Sequence, residues 1–236
     1  MVSDSLNNGS VFIIDGQEVP FHSGQTVLQA ALAAGLAITH LCYRPELEPI
    51  GSCRLCLVEV SGRKLSACTL PATEGLEVQS DNASLRKLRK SLVTLLLAQG
   101  NHTCIRCERT GDCRLQESAA SLELSAVEPL PHQDLPPSDD SHPEVALNRS
   151  RCILCGICIQ ASRRLDGKNI FSFVGKGKDM LLSVDSPSGF LQDSAITAED
   201  YAVRLCPVGA LTRKQSTSQP SFASFDFFDG MGGWGE

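Results

Sequence analysis

A chain of 236 residues with 21 basic and 27 acidic side chains has a formal charge of −6, which disfavours a binder of phosphate backbones, and aromatics at 5% leave little to stack on bases. Hydrophobic residues at 42% suffice for packed cores, yet no run approaches the ~20 apolar residues of a membrane span, and MVSDSLNNGS has neither the basic head nor the apolar stretch of a secretory signal. The informative number is eleven cysteines in a chain expected to sit in a reducing compartment, where clustered thiols serve more often as metal ligands than as disulfides.

Residues 1–80 read as a compact α+β unit. Val11 to Ile14 is β-rich, Asp15-Gly16 is a hairpin turn signal, and Glu18-Val19 returns as the partner strand. Thr26 is a plausible N-cap for a helix with Val27, Leu28, Ala31 and Leu32 on one face and Gly35 closing it. Leu57 to Val60 and Lys64 to Ala67 form strands around Ser61-Gly62, and Leu76 to Val78 is a last short strand, so one helix should lie on a sheet. In residues 81–125, Leu85, Leu88, Leu92, Leu95 and Leu96 mark the inner face of an amphipathic helix ending at Gly100. Arg86, Lys87, Arg89 and Lys90 read as its solvated face.

Five of the twelve prolines fall between Val127 and Pro143, so residues 126–148 read as a linker. Residues 149–214 look irregular around their cysteines, with a hairpin from Ile170 to Val174 and Met180 to Val184 and a short helix from Glu199 to Leu205. The tail, 215–236, sets Phe222, Phe225, Phe227, Phe228 and Trp234 among Ser and Gly, and is expected either to contact a partner or to fold back. No solenoid repeat is present.

The cysteines divide into sets of four, three and four, with none spare. Cys42, Cys53, Cys56 and Cys68 offer the four thiolates of a 2Fe–2S centre, on a loop whose Pro45, Pro49 and Gly51 let backbone N–H groups face the sulfurs. The competing reading is structural zinc, whose knuckles usually come as paired C-x2-C; only one is present here. Cys152-x2-Cys155-x2-Cys158 opens a bacterial ferredoxin arm, and Cys206-Pro207 closes its ligand set. The positions that would hold a second cluster are Ser162, Ile196, Glu199 and Ala202, so one 4Fe–4S site remains. Cys104-x2-Cys107-x5-Cys113 lacks a fourth ligand; His102 is the nearest candidate, ahead of His40, His132 and His142. No G-x-G-x-x-G follows a predicted strand and no P-loop occurs, so neither an NAD or flavin site nor a catalytic residue is expected on this chain.

Taken in order, these motifs resemble a known family. The first segment is similar to the 2Fe–2S β-grasp ferredoxin domain in the electron-wiring subunits of respiratory complex I and of iron-only hydrogenases. The second resembles their His–Cys–Cys–Cys 4Fe–4S segment through LVTLLLA, the cysteines and Leu115-Gln116, although those families place the histidine four residues before the first cysteine, where this chain has Gly100. A free-standing chain with GNHTC and one ferredoxin cluster most resembles the small diaphorase subunit of cytoplasmic NAD-reducing nickel–iron hydrogenase. The resemblance runs to about Arg213 and implies an α+β fold with a 2Fe–2S β-grasp domain, a short helical His–Cys–Cys–Cys segment and a single-cluster ferredoxin-like domain. It implies one 2Fe–2S and two 4Fe–4S clusters relaying single electrons. It also implies partners: a flavin/NAD-binding diaphorase large subunit carrying FMN and NAD, and hydrogenase small and large subunits carrying the NiFe centre, in a cytoplasmic heterotetramer. The alternatives are a wiring subunit of an electron-bifurcating hydrogenase, NAD-dependent formate dehydrogenase or complex I-like enzyme and, from another class, a zinc-stapled interaction module. Across the proline-rich segment, the first and third sites are expected to be independent modules.

Overall fold

A computed structural model describes residues 10–102, 104, 107–124 and 137–214. The aromatic tail, His132 and residues 125–136 of the proline-rich segment lie outside the described residues. Strand β1 (Val11–Ile14) pairs antiparallel with β2 (Gln17–Pro20) across Asp15 and Gly16, both at positive φ (50° and 83°), the conformation a two-residue hairpin turn requires. Helix α1 (Val27–Ala33) starts from a reciprocal cap: Thr26 Oγ1 accepts from the Gln29 N–H at 3.3 Å, and Gln29 Oε1 accepts from the Thr26 N–H at 2.8 Å. Val27, Leu28, Ala30 and Ala31 face Phe12, Ile14 and Val19, forming the first core.

The expected single sheet is divided. Strand β5 (Glu77–Val78) adds parallel to β1, while β3 (Leu57–Val60) and β4 (Arg63–Ser66) form a separate hairpin. Glu59 and Gln79 stitch the two together by exchanging backbone hydrogen bonds of 2.8 and 2.9 Å. Cys68 lies beyond β4 rather than on it, in a turn where the Thr69 and Leu70 N–H groups both donate to the Ser66 carbonyl.

Helix α2 (Ala83–Ala98) begins where Asn82 Oδ1 accepts from the Leu85 N–H. Its inner stripe differs from the leucine pattern. Leu85, Arg89 and Val93, spaced at i, i+4 and i+8, are buried, whereas Leu88 and Leu95 are exposed. Arg89, expected in solvent, is 6% exposed and donates to the carbonyls of Leu55 (3.0 Å), Leu57 (2.8 Å) and Ser80 (2.7 Å). Buried carbonyls without partners are costly, and one forked guanidinium supplies donors for all of them. Helix α3 (Arg114–Ser121) packs beside α2.

In the last unit, β6 (Val145–Leu147) pairs antiparallel with β9 (Leu211–Arg213), and β7 (Phe171–Val174) with β8 (Leu181–Val184). Helix α4 (Ile157–Arg164) occupies part of the stretch expected to be irregular, and α5 (Tyr201–Arg204) packs against it. This unit reaches further back than residue 149. Asp139 is buried; it exchanges backbone bonds with Leu147, and its carboxylate accepts from the N–H groups of Ser141 and Leu191. The described end of the proline-rich segment is therefore folded structure, not linker.

A second core joins Leu41, Cys42, Leu47 and Leu55 of the first unit, through Val93 and Leu115, to Val145, Ile157, Leu182 and Leu211 of the last. Arg44 donates to the Leu205 carbonyl (3.2 and 2.9 Å), and Ser52 Oγ to that of Leu154 (3.2 Å). The packing thus corrects the expectation of independent modules.

Candidate metal centres

The first set is assembled by a loop and the β3–β4 hairpin. Cys42 and Cys53 flank the loop, Cys56 directly precedes β3 and Cys68 follows β4. The Leu41 N–H donates to Cys53 Sγ at 3.4 Å, and the Cys53 N–H to Cys42 Sγ at 3.3 Å. Gly51 (φ 65°) and Arg54 (φ 57°) turn the backbone left-handed on either side of Cys53, which is how N–H groups come to face sulfur. The Cys42 thiol donates to Cys53, and the Cys56 thiol to Cys68. The Cys42 thiol and the backbone N–H groups of Leu55 and Leu41 pull Cys53 down to about 6 against its burial, and the Cys56 thiol pulls Cys68 down. The other member of each pair is pushed up, chiefly by that same hydrogen bond and by burial.

The third set rings a hollow. Cys152, Cys155, Cys158 and Cys206 line it, with Ile157 and Leu182 among the apolar wall. The turn through Gly156 (φ 73°) starts α4, placing Cys158 in its first turn. Burial pushes the Cys152 thiol up to about 11, and Cys155 and Cys158 higher still. Backbone N–H groups of Leu154, Ile157 and Ile159 oppose that shift, and the Leu211 N–H donates to Cys206 Sγ at 3.4 Å. A naked thiolate is unfavourable in such a place, but a soft cationic core that displaces the protons removes the penalty. The donor set and its N–H groups fit an iron–sulfur cluster.

The positions without cysteine are filled. Ser162 is fully buried and its Oγ accepts from the Ile170 N–H at 2.8 Å; Ile196 and Ala202 belong to the core; Glu199 pairs with Arg213 at the surface.

The middle set faces a hollow, which His102, Cys104, Cys107 and Cys113 all line. Gly100, where the related families place histidine, admits no side chain: a β-carbon there would collide with the Ser150 carbonyl oxygen and the His102 ring. The Asn101 N–H donates to that same carbonyl at 3.0 Å, so the chain folds back tightly and brings in the ring two residues later. Burial, then the charge of Arg151, holds the His102 imidazolium below its usual range, favouring the neutral ring that ligation needs. Of the weaker candidates, His40 is engaged through Nδ1 with the Ile38 carbonyl and through Nε2 with Arg114, and His142 accepts from the Glu144 N–H. Neither lines either of these two hollows.

Among the described residues no three His, Cys, Asp or Glu side chains close around a single point as one ion would need. The third set neighbours both others: Cys155 feels the charge of Cys53, and Val208 lines both hollows. Sequence spacing held no sign of the cations around the sites. Arg44 lies near Cys155 and Cys206, and Arg151, paired with Glu108, lies near Cys107 and Cys113. Among the described residues, no helix is long and apolar enough to cross a membrane.

Three families match in sequence order. Residues 11–83 match the 2Fe-2S iron-sulfur cluster binding domain, 89–127 the NADH-ubiquinone oxidoreductase-G iron-sulfur binding region, and 145–212 the 4Fe-4S single cluster domain. The chain is 30% identical over 221 residues to the mitochondrial 78 kDa subunit of NADH-ubiquinone oxidoreductase of Candida albicans, covering 85% of this chain but only 28% of that protein. A crystal structure of NAD+-reducing NiFe-hydrogenase in the H2-reduced state contains a chain that superposes with a TM-score of 0.83 at 45% identity, covering 89% of this chain and 90% of that one. Over 204 residues, 86% of each chain, the sequence is 32% identical to the gamma subunit of the NAD-reducing hydrogenase HoxS of Cupriavidus necator. The chain belongs to the family of that gamma subunit of NAD-reducing hydrogenase.

Proposed function

We propose that this chain is the electron-relay subunit of a cytoplasmic NAD-reducing hydrogenase. It would lie between a diaphorase large subunit, which binds FMN and NAD, and the hydrogenase small and large subunits, which hold the NiFe centre. The observation that carries the reading is the convergence of cysteine sets on separate hollows joined by one core, with Val208 shared between two of them. The reading assigns a 2Fe–2S cluster to Cys42, Cys53, Cys56 and Cys68, one 4Fe–4S cluster to His102, Cys104, Cys107 and Cys113, and another to Cys152, Cys155, Cys158 and Cys206. When bound, such clusters take up and release single electrons.

The chain's own residues do the rest. Thiolates and one imidazole bind iron; backbone N–H groups donate to sulfur and favour the more negative state; the apolar wall excludes water. Holding the middle group with neutral imidazole in place of one thiolate leaves it less negative, which raises its potential.

The test is co-purification with the partner subunits and an assay of hydrogen-dependent NAD+ reduction. A chain carrying about ten irons, with Cys155→Ala abolishing that reaction but not NADH oxidation by the flavin subunit with an artificial acceptor, is the expected result. A colourless chain loaded with zinc would replace the reading by the interaction module. The isolated chain should neither oxidise NADH nor activate hydrogen. For His102, replacement by Cys should keep a 4Fe–4S cluster at lower potential, and His102→Ala should lose iron or convert to a 3Fe form on oxidation. An unperturbed four-iron spectrum in His102→Ala would assign the fourth ligand elsewhere.

A further inference from the structure

Arg109 stands two residues past Cys107, outside every motif, yet its side chain lines the middle hollow together with His102, Cys104, Cys107 and Cys113. Its stem crosses Gly209, in the loop that follows Cys206. A β-carbon on Gly209 would collide with Arg109 Cγ, so the glycine is what admits the stem. The far end is held by Asp112, whose Oδ2 lies 3.0 Å from Nη2. Between those two anchors, Nε is wholly buried and has no hydrogen-bond partner among the described residues. A buried N–H without an acceptor is unfavourable, and the stem packed on Gly209 together with the Asp112 ion pair holds this one in place. The hollow that the Arg109 side chain lines also takes in three cysteines, whose sulfurs are acceptors.

We propose that Arg109 is a positioning residue of the middle centre: its Nε–H donates to a sulfur of the iron–sulfur group that His102 and the three cysteines hold. This rests on the reading of His102 and three cysteines as one ligand set, and adds a donor to it. A hydrogen bond to sulfur stabilises the more negative, reduced form, so Arg109 raises that centre's potential. Because Gly209 seats the stem, the loop carrying one ligand of the third set fixes the aim of a donor to its neighbour.

The test uses the assembled complex and redox titration followed by electron paramagnetic resonance. Arg109→Lys keeps the charge but has no N–H at the Nε position; Arg109→Gln loses the charge as well. Both should lower the midpoint of the middle centre alone, by about tenfold in its reduction equilibrium, or about 59 mV for a one-electron couple. Asp112→Asn, which loosens only the far end, should move it much less. An unchanged midpoint in Arg109→Lys, or an equal shift in Asp112→Asn, overturns the proposal: the first leaves only charge, the second only scaffolding. If the Arg109 variants fail to assemble, electron–nuclear double resonance on the native complex with 15N-arginine decides. A 15N coupling with an exchangeable proton at the reduced middle centre that persists in Arg151→Lys supports the donor, and its absence refutes it. Lack of any four-iron signal from the middle centre in the native complex would sink the ligand-set reading itself, whereas a signal indifferent to Arg109 sinks only this inference.

Discussion

The last unit contains two places where a ferredoxin plan puts a cluster, and they have gone opposite ways. On one side Cys152, Cys155, Cys158 and Cys206 surround a hollow, with N–H groups aimed at sulfur. On the other, Ile196 and Ala202 pack into the core. Oxygen has taken the N–H groups there: Ser162 Oγ accepts from Ile170, and the Asp166 carboxylate from Tyr201 (2.8 Å) and Ala202 (3.1 Å). Lys168 closes the region against Asp200, its Nζ 2.6 and 2.9 Å from the carboxylate oxygens. Giving up a cluster therefore takes more than losing ligands. The volume must be filled and every N–H that would face sulfur needs another acceptor.

The sharpest contrast comes from the kept side. Cys155→Ala should remove about four of about ten irons and one electron paramagnetic resonance signal. The 2Fe–2S signal should remain, because Cys56 and Cys68 anchor its set in the first core, although Cys42 shares the second core with Cys155. Simultaneous loss of both signals would mean that the shared core folds only when both clusters are in place. On the filled side, Ile196→Ala should leave iron content unchanged and cost about 2–4 kcal/mol in a denaturant titration. Lost iron without lost stability would reverse the comparison.

Asp200 sharpens it by pH. Burial alone would raise this carboxyl, but the hydrogen bonds from Lys168 and Thr197 outweigh it and hold the group below its usual value. A carboxylate lowered on folding contributes stability above its unfolded pKa, about 3.9, and loses it as pH falls through the lower folded value. Asp200→Asn should therefore melt earlier than the natural chain at neutral pH, with the gap narrowing only below about pH 4. A gap independent of pH down to acid unfolding would remove the ion pair from the account. The smallest effect belongs to Ser162. Ser162→Ala strands the Ile170 N–H and should cost about 1 kcal/mol, and Ser162→Cys should bind no additional iron. A gain of iron in the cysteine variant would show that the filled side still has room.

Much of the chemistry was legible because metal ligation imposes spacing on sequence. The cysteine sets, the Asp15-Gly16 hairpin and the Thr26 cap follow from local rules that tertiary packing has no reason to override. What escaped depends on distant partners. The leucine pattern of α2 pointed Leu88 and Leu95 inward, but the carbonyls of Leu55, Leu57 and Ser80 needed a donor, so Arg89 took the inner face. Helix α4 was hidden because its cap is a left-handed glycine inside a ligand motif. Asp139 sat among prolines that read as linker, although its carboxylate organises a turn against Leu191. The early histidine position of the related families is closed by the Ser150 carbonyl, contributed by a segment distant in sequence.

The Arg89 contacts also make α2 a gauge. Its sixteen residues extend about 24 Å at 1.5 Å per residue. A slip by one residue would swing Arg89 through about 100° and strip it from all of its acceptors, so the helix has one azimuth and one height on the first unit. Its far end delivers Gly100 to the Ser150 carbonyl, against another unit altogether. The interval between the first and middle cysteine sets is thus cut to length by a rod keyed at both ends, and a fault at the Arg89 key would be felt as play at the other end.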